Sequence, residues 1–124
     1  ITIATTGNAQ DFGNLIAAEY STAGVSNDTR CVFAGGQATG YVNRIQYITT
    51  ATTGNATDFG DLTLARARFA GAANGTRGVF GGGLKSGNTA SNVLDYITIA
   101  STGNATDFGD LSITRQSLAG LSGT

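Results

Sequence analysis

The sequence predicts an all-β fold built from about 2.6 tandem four-stranded antiparallel units. Three observations carry that prediction: a self-similarity period of 47–49 residues, short segments whose apolar residues alternate, and turn formers that recur between them. Displaced by 47 positions, residues 1–36 match residues 48–83 at 22 of 36 positions; displaced by 49, residues 47–75 match residues 96–124 at 17 of 29. The extra two residues lie between Gly83 and Tyr96, where twelve residues replace the ten between Gly36 and Tyr47. A period near this length belongs to architectures that stack one supersecondary unit per repeat. The expected organisation is a single array over 1–124, divided as 1–47, 48–96 and a partial third copy at 97–124.

Each element follows from local chemistry. Tyr96-Ile97-Thr98-Ile99-Ala100 alternates, as does Tyr47-Ile48-Thr49, which predicts strands at Ile97–Ala100 and Ile48–Ala51. The clusters Thr6–Asp11, Thr53–Asp58 and Thr102–Asp107 are turn formers ahead of a Phe-Gly-(Asp/Asn)-Leu strand. Leu62–Ala73 is Ala-rich, so a helix is the alternative there, but Gly71 and the Asn74-Gly75 turn favour a strand at Arg68–Ala72. Asn-Gly is the strongest short hairpin signal, a type I′ turn with positive φ at both central residues, and Asn27-Asp28 holds the same place one copy earlier. Arg77–Phe80 and Arg30–Phe33 are short apolar strands that stop at glycine, with Gly35, Gly36, Gly82 and Gly83 letting backbones pass closely. Phe12, Phe59 and Phe108 are expected at equivalent buried positions. Counted along the chain, this makes eleven strands where three full units need twelve.

Nineteen Gly, a single Cys, and no Pro, His, Met or Trp exclude more than they suggest. Without His, neither a Ser-His-Asp nor a Cys-His nucleophile pair can be assembled, nor the usual imidazole zinc set. One Cys closes no internal disulfide; Cys31, aligned with Gly78, is expected as a small buried filler, the alternative being a reactive thiol. Seven basic and eight acidic residues give a net charge of −1, which offers little to a nucleic-acid backbone or an anionic membrane. No apolar run approaches the roughly 18 residues of a membrane span. The chain begins with Ile1, which suggests processing or a segment of something longer.

The motifs that touch on chemistry each have a blander explanation. Asp-Phe-Gly at Asp11, Asp58 and Asp107 lacks every other part of a kinase, and Gly81–Ser86 fits neither phosphate-loop spacing. Asp58 with Asp61, and Asp107 with Asp110, are calcium candidates beside Asn and Thr oxygens, against the simpler reading that they cap turns. A carboxylate pair for sugar hydrolysis is disfavoured because it recurs in each copy. Asn27, Asn55, Asn74 and Asn104 open N-x-(Ser/Thr) triplets and are glycosylation candidates in a secreted protein. Arg30, Arg66, Arg77 and Arg115 either face acidic glycans or pair with carboxylates of neighbouring units. No cofactor and no catalytic residue is expected.

Taken together, Leu-x-x-Ala-Arg at Arg66, Ala70-Gly71-Ala72, Asn74-Gly75, Val79-Phe80-Gly81-Gly82 and Asn92–Tyr96 make the unit resemble a kelch repeat, the four-stranded blade of one class of β-propeller. Phe108 stands where that family usually has Trp, and Glu19 replaces Arg66 in the first copy. The repeated Thr-Gly-Asn-Ala-Thr-Asp-Phe-Gly-Asp-Leu phrase also resembles arrays in structural and tail-fibre-like proteins of bacteriophages. The resemblance implies a non-enzymatic structural module of an extracellular or virion-surface fibre, the alternative being a glycan-binding propeller with one site per blade; the unmatched, heterologous ends of the strand series favour self-association as a filament over a ring. With little charge and no Pro to protect its edges, the chain is expected to need further units or other copies to complete its sheets.

Overall fold

The computed structural model describes residues 2–122, and their regular structure is entirely β. Strands β1 (Ala23–Ser26), β2 (Arg30–Gln37), β3 (Tyr41–Thr49) and β4 (Thr57–Asp61) form one antiparallel meander in chain order. A second sheet contains β5 (Ala70–Ala73), β6 (Arg77–Gly81), β7 (Leu84–Lys85), β8 (Thr89–Thr98) and β9 (Thr106–Arg115). Its order is β5-β6-β8-β9, with β7 paired to the start of β8. Registers recur at the displacements seen in the sequence: Val25↔Val32 becomes Ala72↔Val79, Val32↔Tyr47 becomes Val79↔Tyr96, and Tyr47↔Thr57 becomes Tyr96↔Thr106. The two inserted residues lengthen one hairpin by a rung: Gln37↔Tyr41 has its counterpart in Leu84↔Ala90, and Lys85↔Thr89 lies beyond it.

Four expectations need correction. The strands expected at Ile48–Ala51 and Ile97–Ala100 are the last rungs of longer ones, and Thr50, Ala51, Ile99 and Ala100 lie outside them. Pairing decides this: β2 and β6 begin at Arg30 and Arg77, whose partners Thr49 and Thr98 are therefore the final rungs. Upstream, a bulge between Ile45 and Gln46 buries both consecutive side chains and erases the alternation that sequence reading depends on. Next, the segment expected from Arg68 becomes a strand only at Ala70, because Arg68 has φ 57°. The Asn-Gly turn, third, is shifted by one residue. Asn74 pairs with Arg77 and Gly75-Thr76 are central; only Gly75, at φ 85°, is left-handed. The Asn74 side chain sets this frame, its Oδ1 accepting from Thr76 N–H (3.2 Å) and Arg77 N–H (2.9 Å), and Asn27 does the same for Thr29 and Arg30. Finally, of the eleven strands expected, the two before residue 15 and the one after residue 117 are absent among the described residues, since none has a neighbour of its own sheet to pair with.

The sheets meet across one hydrophobic core. Val25, Val32, Ala34, Ile45 and Phe59 of the first pack with Phe80 and Ile97 of the second and with Phe69, Ile99 and Ala105 beside its strands. Glycine permits the approach, for a Cβ at Gly71 would lie 2.8 Å from Gly24 O and one at Gly78 2.7 Å from Val25 Cγ2.

Candidate assembly interface

Three sets of contacts join consecutive units, each occurring twice, with one partner displaced by 47 residues and the other by 49. At the inner edge, Arg68 N–H donates to Ser21 O (3.1 Å) and Ser117 N–H donates to Arg68 O (2.8 Å). All three residues are left-handed, with φ of 58°, 57° and 55°. Midway, Gly36 N–H donates to Arg66 O (2.9 Å) and Gly83 N–H to Arg115 O (2.8 Å). Here a Cβ at Gly35 would lie 2.6 Å from Arg66 O, and one at Gly82 2.8 Å from Arg115 O; the strand expected to stop at glycine after Phe33 instead runs through Gly35 and Gly36 to Gln37, because β2 goes on pairing with β3 as far as Tyr41.

The outer set is a clamp. Gly54 N–H donates to Phe12 O (2.8 Å), Ala56 N–H donates to Asn14 O (2.9 Å), and Asn55 Oδ1 accepts from Asn14 N–H (2.9 Å). In the next copy Gly103 N–H donates to Phe59 O (2.7 Å), Ala105 N–H to Asp61 O (2.8 Å), and Asn104 Oδ1 accepts from Asp61 N–H (3.0 Å). The loops Thr53–Ala56 and Thr102–Ala105 thus reach back onto the preceding unit, the first onto Phe12–Asn14, which lies outside any strand, and the second onto β4. Gly13 and Gly60 sit beneath the loop at φ 146°, where a Cβ would collide with Gly54 O and Gly103 O.

Two further groupings support the sheets. Arg30 stacks over Tyr47 at 4.4 Å, and Tyr47 meets Phe59 edge-on at 5.9 Å; Arg77, Tyr96 and Phe108 repeat this at 4.4 and 5.8 Å. Arg66 and Asp95, both fully buried, pair at 3.2 Å; Arg66 Nη2 also donates to Phe80 O, and Thr63 donates to Asp95. Burial lowers the Arg66 guanidinium from its ordinary pKa, and the Asp95 carboxylate opposes that shift. One unit earlier, Glu19 occupies the Arg66 position and Gln46 the Asp95 position, bonded to each other at 3.2 Å, with Arg44 paired to Glu19. Sequence reading saw the Glu19 exchange but missed its compensation at Gln46, although both changes are visible in the aligned copies.

The residues singled out by sequence fare differently. Phe59 is buried, Phe12 half-buried and Phe108 exposed at 52%. Asp58, Asp61, Asp107 and Asp110 are exposed, and Asp107 Oδ1 accepts from Gly109 N–H; no group of three His, Cys, Asp or Glu able to hold a metal gathers among the described residues. Of the four arginines expected at carboxylates or glycans, Arg66 has a carboxylate, Arg30 and Arg77 lie on tyrosine rings, and Arg115 is exposed. Asn55 and Asn104, read as glycosylation candidates, are exposed and form the clamps; Asn27 and Asn74 order hairpins. Cys31, expected as a buried filler, is half-buried opposite Ile48 on β2. The left-handed positions had no sequence signal, since Ser21, Arg68 and Ser117 share no backbone preference.

Equivalent small grooves of about 160 and 220 Å³ lie between the strand end and the loop of each sheet. Tyr47, Thr53 and Asn55 line one; Tyr96, Thr102 and Asn104 line the other. No helix among the described residues is long and apolar enough to cross a membrane. No protein-family model and no curated protein matches the chain.

Proposed function

We propose that the chain is a non-enzymatic structural module whose kelch-like, propeller-like units are joined to further copies head to tail, as part of an extracellular or virion-surface fibre. One observation supports this reading: the unit-to-unit contacts recur at the 47- and 49-residue displacements of the sequence, and among the described residues Phe108 and Asp110 on one side and Thr6–Ala9 on the other are halves of the same contact that hold no partner. The open face agrees with it. Val25, Val32 and Phe59 are buried by the second sheet, whereas their counterparts Ala72, Val79 and Phe108 are half-buried, half-buried and exposed. They border a surface groove of about 300 Å³. A sheet left open on one face and along one edge is a surface for pairing, and heterologous ends give open filaments unless the rotation closes. Sedimentation at micromolar concentration tests the reading: assemblies that grow with concentration support it, while a folded, monodisperse monomer refutes it.

The duplicated grooves favour a second reading, a glycan-binding module with one polar site per unit. Calorimetric titration with simple sugars separates the two, because a lectin should show saturable binding at equivalent sites and a scaffold should not.

A further inference from the structure

Among the described residues the clamp is formed twice, and each of its two halves occurs once more without a partner. On β9, Val93↔Asp110 repeats the register of Arg44↔Asp61, so Asp110 turns its N–H and C=O away from β8 as Asp61 turns them away from β3. Asp61 and Phe59 use these outward groups to hold Gly103–Ala105. Phe108 and Asp110 hold no such loop among the described residues, and a Cβ at Gly109 would meet nothing within 4 Å. At the other side, the Thr6-Gly7-Asn8-Ala9 loop has the same four residues as Thr53–Ala56 and Thr102–Ala105. Asn8 is exposed, and no hydrogen bond from Gly7 or Asn8 is found among the described residues.

We propose that the outer edge of β9 is a docking site for Thr6–Ala9 of a second copy of this chain. The expected bonds are Gly7 N–H to Phe108 O, Ala9 N–H to Asp110 O, and Asp110 N–H to Asn8 Oδ1. A second, independent set of contacts is satisfied by the same rigid placement. The inner ladder from Ser21 through Arg68 to Ser117 leaves Ser117 O and Ser21 N–H without counterparts among the described residues. One unit step carries the second copy's Ser21 onto Ser117 as it carries its loop onto β9. The stacked inner segments Gly24, Gly71 and Gly120 continue along the same line, a Cβ at Gly120 colliding with Gly71 O as one at Gly71 would crowd Gly24 O. At the junction, one chain supplies the inner segment and the other supplies Asp11–Asn14 outside it.

This docking rests on the assembly reading, and the test separates the two. In a Cys31→Ser background, Asn8→Cys and Asp110→Cys variants are made singly, mixed and oxidised, alongside sedimentation of the unaltered chain. The expected result is a one-to-one covalent dimer from the mixture, exceeding any from either variant alone, and a ladder from the double variant. Asn8→Ala should weaken association by about five- to tenfold through its lost bond to Asp110. If the unaltered chain is monomeric, both readings fall. An unaltered chain that associates without the specific cross-link, or an Asn8→Ala variant that associates unchanged, overturns the docking alone.

Discussion

The Arg66 guanidinium is fully buried, and its Nε and Nη1 find no hydrogen-bond partner, while Nη2 serves both Asp95 and Phe80 O. Such a pair gains little over apolar packing, yet either half alone is costly because a buried charge remains. Asp95→Asn should therefore destabilise the fold by about 3–5 kcal/mol in urea unfolding, whereas replacing the cluster together as Arg66→Met, Asp95→Leu and Thr63→Val should be near neutral or stabilising. The aromatic positions give a second contrast. Phe59→Ala empties a site that is 3% exposed and should cost about 3–5 kcal/mol. At Phe108, with the ring half in solvent, the same change should cost under about half of that. Equal losses at the two positions in the unassociated chain would contradict the burial described.

At the scale of elements, the clamp converts a polar loop into a fastening between sheets. Its bonds are backbone-directed, so side-chain truncation at Asn55 or Asn104 should remove only about 1 kcal/mol each. Gly60→Ala is more severe, because it both strains a residue at φ 146° and drives Cβ into Gly103 O. At Gly109, φ is 133° but the space is open, so alanine there should cost less than at Gly60 in the unassociated chain. Hydrogen exchange offers a direct check on the loops themselves. The Asp61, Gly103 and Ala105 amides should be protected and the Asp110 amide should exchange rapidly in dilute protein, gaining protection as concentration rises.

For the whole molecule, the proposed assembly through the open face and edge of the second sheet predicts that stability depends on association. A partner that binds only the folded chain stabilises it by mass action, so the urea midpoint should rise with protein concentration across the micromolar range. A midpoint independent of concentration would place the chain's stability entirely in its own two sheets. Low charge shapes the same behaviour, since a net charge of −1 provides little repulsion between exposed strands.

The sequence by itself determined the all-β class, the unit length, the hairpin positions to within a residue and the place of the inserted pair, because alternation and turn chemistry act over a few neighbouring residues. Only the tertiary structure decided what each copy experiences. Residues 53–62 and 102–111 are the same ten amino acids, Thr-Gly-Asn-Ala-Thr-Asp-Phe-Gly-Asp-Leu. Yet the first contains β4, ending at Asp61, with Phe59 and Leu62 buried; the second opens β9, which runs on to Arg115, with Phe108 exposed and Leu111 half-buried. Identical local chemistry gives the same turn and the same bulge opposite Leu94 as opposite Ile45. Burial differs because it is set by the neighbouring sheet, which lies against β4 and has no counterpart against β9 among the described residues.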